Sequence, residues 1–313
     1  MAYKYLDKVD NIHLLDTHFL GFPRYHAAYV VKGEEKTILI DTGDPKQLEI
    51  VRKEMARVGV TMKDIDYIFI THEHSDHAGN AASLALENPD VIICINPLCE
   101  EAMTHPEIEA AGRERLLPPG MADRFGTMLP ADPGQLYFLK DGEEFDIGGD
   151  ILKVIFTPGH QPGGLVIEES KNKLLFINDL NGMYLAESGV ALTLTPPNSW
   201  PADALASLRK IENNDYKWVA MGHYGFCNDP DMVIQGAIRR IERLLAIAEK
   251  CDAEGKLDEL RKTIMEQVIQ QEIDKLQPLS DKALYTYFRD EFGYNLCNGF
   301  ALFYEKYREG GNR

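Results

Sequence analysis

The chain has 313 residues, 44% of them hydrophobic, which suffices for a full core in one large domain or in a domain with an extension. A formal charge of −17 argues against a nucleic-acid backbone as the main partner, because phosphate binding needs a basic face. The start lacks an apolar run of signal-peptide length, no window approaches the roughly 18 apolar residues of a membrane span, and five cysteines without Cys-x-x-Cys spacing read as reduced, buried thiols; the expectation is a cytoplasmic protein that engages neither nucleic acid nor membrane.

Short strands are predicted first, at residues 12–15, 27–31 and 37–40, the last two joined by a Lys32-Gly33-Glu34-Glu35-Lys36 turn into an antiparallel pair. Asp41-Thr42-Gly43-Asp44 ends the third strand, and Pro45 opens a helical pattern through Leu48, Val51, Met55 and Val58. The apolar run 65–70 then leads into Thr71-His72-Glu73-His74-Ser75-Asp76-His77, and a helix-favouring stretch, 78–86, follows. One histidine on a loop is ordinarily a surface or hydrogen-bonded residue. Three imidazoles and a carboxylate within six residues, in a chain of nine histidines, make chance a poor explanation. Imidazole nitrogen with carboxylate oxygen is the donor set of zinc and similar divalent metals, and the His-x-His-x-Asp-His order suggests one segment serving two adjacent ions.

After a buried strand at 90–95, residues 97–135 break the rhythm with two helical pieces separated by prolines, an insertion that reads as a substrate-facing lid or as surface decoration. Strands resume at 136–139, 144–147 and 151–156, with the Gly and Asp edges of hairpins, and the last runs into Thr157-Pro158-Gly159-His160. A further hairpin, 165–168 with 173–177, ends at Asp179; a helix over 202–213 precedes a strand ending at Gly222-His223. Besides the His-rich turn, four strand ends therefore carry Asp or His.

Those motifs, in that order, resemble the metallo-β-lactamase superfamily over roughly residues 10–228. The resemblance implies an α/β (α+β) fold, a four-layer αβ/βα sandwich with the site at one edge. The domain expectation is a catalytic unit, 1–228, with the insertion at about 97–135, followed by a C-terminal helical extension, 229–313. Position by position, it implies that His72, His74 and His160 bind one ion, Asp76, His77 and His223 a second, and that Asp179 bridges them. Asp41 is expected to orient a metal-bound histidine from behind. All seven ligand positions are filled, as in the glyoxalase II-like and lactonase branches; the best-known true β-lactamases carry a cysteine where this chain has Asp179, and flavodiiron proteins add a flavin domain.

The implied cofactor is two divalent ions, zinc first, with iron or manganese as alternatives. Two cations roughly 3.5–4 Å apart share a water, lower its pKa toward about 7 and polarise the scissile group. The implied activity is hydrolysis of a small-metabolite ester, thioester or lactone by a metal-bridging hydroxide. The alternatives are a phosphodiesterase, an iron-dependent persulfide dioxygenase, and a metal-containing binding protein without turnover. Asp76 is the candidate to orient the hydroxide and carry a proton. Tyr184 and Tyr224 are candidates to donate to a developing oxyanion, against ordinary packing, and His26 is a candidate for the pocket mouth. Beyond Pro230, apolar residues at helical spacing (Ile234, Ile238, Ile241, Leu245) predict helices that pack on the core, narrow the entrance or form a homodimer contact, with the bend over 291–297 as the place to look for substrate contacts.

Overall fold

The computed structural model describes residues 6–116, 120–185, 187–196, 199–276, 279–292, 299–301 and 304. Among them, two mixed sheets face each other with helices on both outer sides. The first sheet takes seven strands in chain order. Strands β1 (Lys8–Val9), β2 (Ile12–Asp16), β3 (Ala27–Lys32) and β4 (Thr37–Ile40) form an antiparallel meander. Strands β5 (Tyr67–Phe69), β6 (Ile92–Ile95) and β7 (Leu136–Phe138) add parallel to β4. The crossovers are α1 (Leu48–Arg57), then α2 (Ser75–Ala78) with α3 (Ala81–Ala85), and the insertion that holds α4 (Glu100–Thr104) and α5 (Glu107–Leu116).

The second sheet begins with β8 (Glu144–Asp146), β9 (Ile151–Phe156), β10 (Leu165–Glu169) and β11 (Leu174–Asn178). A separate hairpin, β12 (Met183–Leu185) with β13 (Val190–Leu192), and α6 (Pro201–Ile211) intervene before β14 (Trp218–Met221) and β15 (Gly225–Cys227) complete it. The strands are apolar on both faces because each sheet is covered twice. Along β3, Ala27, Tyr29 and Val31 face the opposite sheet, while Ala28 and Val30 face α1 and α3. Along β11, Leu174 and Phe176 face the first sheet, and Leu175 and Ile177 pack under α6 and the long helix α7 (Pro230–Ala253).

Strand direction gathers the motifs. β4 and β5 are parallel; β9 is antiparallel to β10, which is antiparallel to β11, and β11 is parallel to β14. The carboxyl ends of β4 and β5, and those of β9, β11 and β14, each fall on one edge of their sheet. Asp41, the His-rich turn, His160, Asp179 and His223 all follow such ends.

Three local expectations are corrected. The strands at 136–139 and 144–147 do not form a hairpin: β7 pairs parallel with β6, whereas β8 pairs antiparallel with β9, so the Asp141-Gly142 turn carries the chain between sheets. The helix expected over 78–86 starts earlier, at Ser75, and breaks at Gly79-Asn80. Asn80 is claimed by the loop after β4, donating Nδ2 to the carbonyls of Thr42 at 2.8 Å and Asp44 at 2.9 Å. Only glycine fits at 79, where a Cβ would meet Pro45 and stand 2.7 Å from the Gly43 carbonyl oxygen. The third concerns the stretch between Asp179 and the helix over 202–213, which reads in the sequence as a proline-interrupted loop and here forms the hairpin β12–β13.

The C-terminal helices share their core with the sandwich. Beyond α7 come α8 (Leu260–Ile264), a π-helical turn (Met265–Ile269), α9 (Gln270–Asp274) and α10 (Lys282–Tyr287). Their buried faces close over Phe19, Tyr25, Met183, Leu185 and Leu192. Tyr25 meets Phe288 edge-on, with ring centroids 5.4 Å apart. Most of the bend expected to touch substrate, residues 293–297 of 291–297, lies outside the described residues. Among the described residues no helix is long and apolar enough to cross a membrane.

Candidate metal centre

Two groups of donors meet where the sheet edges converge. In one, His72 Nε2 lies 3.0 Å and His160 Nε2 3.1 Å from His74 Nδ1. Burial pushes all three imidazoles below the ordinary histidine value, His160 to about 3. They are neutral near pH 7, with ring nitrogens aimed at one another. The amide of Gln161 stands 2.7 Å from the outer nitrogen of His74. The nearer amide atom is Gln161 Nε2; exchanging the N and O of the amide, which are nearly the same in shape, lets Gln161 accept Nε2–H from His74 and leaves Nδ1 free for a cation.

The other group is rich in carboxylate. His77 Nε2 stands 3.3 Å from Asp179 Oδ1 and 3.9 Å from Asp76 Oδ2. His223 Nε2 stands 3.4 Å from Asp76 Oδ2 and 3.5 Å from Asp179 Oδ2. Asp179 Oδ2 is also 3.5 Å from His160 Nε2, so this carboxylate faces both groups. Burial alone would lower His77 and His223, but the carboxylates outweigh it: Asp179, Asp41 and Asp76 hold His77 well above its usual value, and Asp179 and Asp76 lift His223 to about 9. Burial likewise opposes the ionised form of Asp76, and the neighbouring His77 and His223 overcome it, holding the carboxyl low.

The outer edges of these rings are fixed. His77 Nδ1 donates to Asp41 Oδ2 at 2.8 Å, and His223 Nδ1 to the Tyr25 carbonyl at 2.9 Å. Asp41 also accepts from the Thr71 amide at 2.9 Å and its hydroxyl at 2.8 Å, locking the His-rich loop to β4. Asp41 and Asn178, beside the site, hold positive φ values of 57° and 50°, unusual for non-glycine residues. The Asn178 side chain caps the turn that presents Asp179, accepting from Leu180 N at 2.7 Å.

Divalent cations fit this arrangement. His72, His74, His160 and Asp179 each offer a donor atom within 4.8 Å of the others, and so do His77, Asp179 and His223. His77 Nε2 and Asp179 Oδ1 are buried without a hydrogen-bond partner, a costly condition that a shared cation relieves. Nitrogen and carboxylate oxygen are the donors such ions take.

A model of the metallo-beta-lactamase superfamily matches residues 21–223. The chain belongs to that superfamily. It is an enzyme of the metal-dependent hydrolase type. Among curated relatives it is 26% identical over 202 residues to the metallo-beta-lactamase fold-containing protein ST1585 of Sulfurisphaera tokodaii, covering 59% of this chain and 67% of that one. It is 26% identical over 192 residues to a hydroxyacylglutathione hydrolase of Nostoc punctiforme, covering 60% and 61%. The shared stretch spans 42% and 38% of two further relatives, from Caenorhabditis elegans and Methanocaldococcus jannaschii. Among solved structures, the metallo-beta-lactamase family protein TTHA1429 of Thermus thermophilus shares the fold with a TM-score of 0.65 at 18% identity, over 96% of this chain and 95% of that one.

In this member of the superfamily five of the donors, His74, Asp76, His160, Asp179 and His223, line a cleft of about 480 Å³. The insertion supplies much of its wall, through Leu98, Glu101, Ile108, Glu109, Arg113 and Phe125. This part of 97–135 therefore faces the cleft, as a lid does. Sequence reasoning missed Gln161 and the Glu109–Arg113 pair. Gln161 directly follows a ligand-type histidine, which could have marked it. The spacing of Glu109 and Arg113 reads as an ordinary helix-surface pair.

Tyr184, Tyr224 and His26 are not among the described residues that line the cleft. Met183 does line it, and alternation along β12 turns Tyr184 the opposite way, into the core under α6 and α7. Tyr224 is buried between the sheets in the cluster that contains Tyr29 and Phe226. His26 is fully buried beside His77, and Phe19, which lines the cleft, packs 6.2 Å from its ring.

Proposed function

We propose that this protein hydrolyses a carbonyl ester, thioester or lactone of a small metabolite. It does so with two divalent cations, zinc foremost, held by His72, His74 and His160 on one side, Asp76, His77 and His223 on the other, and Asp179 between. The observation that carries this reading is the convergence of seven donor side chains, five of which (His74, Asp76, His160, Asp179 and His223) line a cleft whose one hydroxyl among the described lining residues is Ser75. Ser75 receives a hydrogen bond from Arg113 at 2.7 Å. Cys99 is buried beside Glu73, and burial pushes its thiol well up. The attacking group is therefore water.

Two cations so placed supply Lewis acidity and water ionised near neutral pH. The chain's own groups do the rest. Asp76 borders the cleft between His77 and His223, positioned to accept a hydrogen bond from the attacking water and to pass a proton to the leaving oxygen or sulfur. Phe19, Phe125, Ile108, Met183 and Leu194 receive the apolar part of the substrate and exclude bulk water.

The cleft wall favours an acyl substrate over a phosphodiester. Glu73, Glu101 and Glu109 line it, against one cation, Arg113. That guanidinium is committed to Glu109 at 3.1 Å, Ser75 at 2.7 Å and the Gly126 carbonyl at 3.3 Å, and it packs over Phe125. An anionic diester finds little free positive charge beyond the cations. Similarity to a hydroxyacylglutathione hydrolase supports a thioester as the first compound to try.

The test is metal content of protein purified without added metal, with hydrolysis of a thioester, lactone, carboxylic ester and phosphodiester panel on the same samples. Two zinc or manganese ions per chain with carbonyl-ester turnover are expected. Iron without hydrolysis, or turnover unchanged in Asp76→Asn, sinks the reading.

A further inference from the structure

His26 lies outside the seven donors, yet its surroundings match those of a ligand. Its ring is fully buried and anchored on one side only. Nδ1 is 3.0 Å from Thr17 Oγ1, and Thr17 Oγ1 is 3.1 Å from the His26 carbonyl oxygen. A hydroxyl carries one proton. Both contacts are satisfied together only when Thr17 donates to the carbonyl and accepts Nδ1–H. Nε2 is then a bare lone pair, buried and without a hydrogen-bond partner.

That lone pair sits at the carboxylate-rich half of the centre. The His26 ring meets His77 at right angles, centroids 4.5 Å apart, and His223 at 5.1 Å. A ring nitrogen of His26, a carboxylate oxygen of Asp76 and a ring nitrogen of His77 lie within 4.8 Å of one another. Donors on one cation, each at about 2.0–2.2 Å, stand no more than about 4.4 Å apart, so a small side-chain adjustment brings the three together. The anchoring of Nδ1, with Nε2 left toward the centre, repeats what Asp41 does for His77 and the Tyr25 carbonyl for His223.

We propose that His26 Nε2 is a further nitrogen donor to the cation held by Asp76, His77 and His223, with Thr17 as its positioning residue. This rests on the two-cation reading above. It gives that half three imidazoles, as many as the His72, His74 and His160 half.

The test is a cobalt(II) titration of the metal-free full chain, followed through the visible bands that report coordination. His26→Phe keeps an aromatic ring against His77 and His223 but removes the nitrogen. The expected result is a first binding step that matches wild type and a second that is weaker by about tenfold or more, with altered bands. A second step and bands identical to wild type overturn the proposal. Should His26→Phe fail to melt cooperatively, His26→Ala is judged by the same two steps. Wild-type protein that takes up fewer than two cobalt ions overturns the two-cation reading along with the proposal, an outcome distinct from unchanged binding in the variant.

Discussion

The two halves of the metal centre are assembled from the same loops but by opposite electrostatics. In the His72, His74 and His160 half, burial strips charge from imidazoles that face one another, leaving neutral lone pairs. In the Asp76, His77 and His223 half, carboxylates hold protons on the imidazoles, so protons stand where a cation would. The first half is prepared to bind a metal as it stands. The second must release protons to do so. Asp179 joins them, being within 3.5 Å of both His160 and His223.

The largest expected effect therefore comes from removing the joint. Asp179→Ala should weaken both cations by more than the roughly 10–100-fold that loss of an outer hydrogen-bond partner costs, and hydrolysis should fall with them. Metal analysis after desalting checks it. Loss of one ion alone would show that the halves are independent.

A smaller and more selective effect is pH dependence. His77 and His223, both held above the ordinary histidine value, must each lose a proton when a cation binds, so affinity of the second half should rise by more than tenfold and up to about a hundredfold per pH unit between pH 6 and 8. His72, His74 and His160 are all pushed below the ordinary histidine value, His160 to about 3, so the first half should change far less over the same range. Zinc titrations at pH 6, 7 and 8 measure both slopes. Equal slopes would break the contrast.

The meeting of the seven candidate donors was legible in the sequence because ligand chemistry admits few residue types, because each follows an apolar run that reads as a strand, and because their order resembles that of the superfamily. What faced away was not legible. Tyr184 and Tyr224 were placed by proximity to Asp179 and His223 along the chain, yet along β12 adjacent residues point to opposite sides and Met183 holds the cleft position, while Tyr224 packs between the sheets. His26 was read as a pocket-mouth residue, and its partners Thr17 and His77 come from a neighbouring strand and from the His-rich loop, a juxtaposition that no local pattern encodes. The amphipathic face of α7 was equally plain, with Ile234, Ile238 and Ile241 buried. That the helices beyond it close on Phe19 and Tyr25, residues next to the site, is tertiary information.

The smallest effect should come from the cleft wall, which neither half of the centre needs in order to bind metal. Arg113 ties the insertion to Ser75, between ligands His74 and Asp76, and to the Gly126 carbonyl. Arg113→Met keeps the aliphatic stem against Phe125 and removes these two hydrogen bonds, each worth about 0.5–1.5 kcal/mol net. Glu109 does not become a bare buried charge at neutral pH, because burial already pushes it up to about 7 and loss of Arg113 raises it further. KM should therefore rise a few-fold at pH 7, with kcat and metal content near wild type. At pH 9 Glu109 ionises without its partner, and the gap in KM should widen as the wall is pushed out of place. A drop in bound metal in this variant would instead show that the wall and the centre are one structural unit.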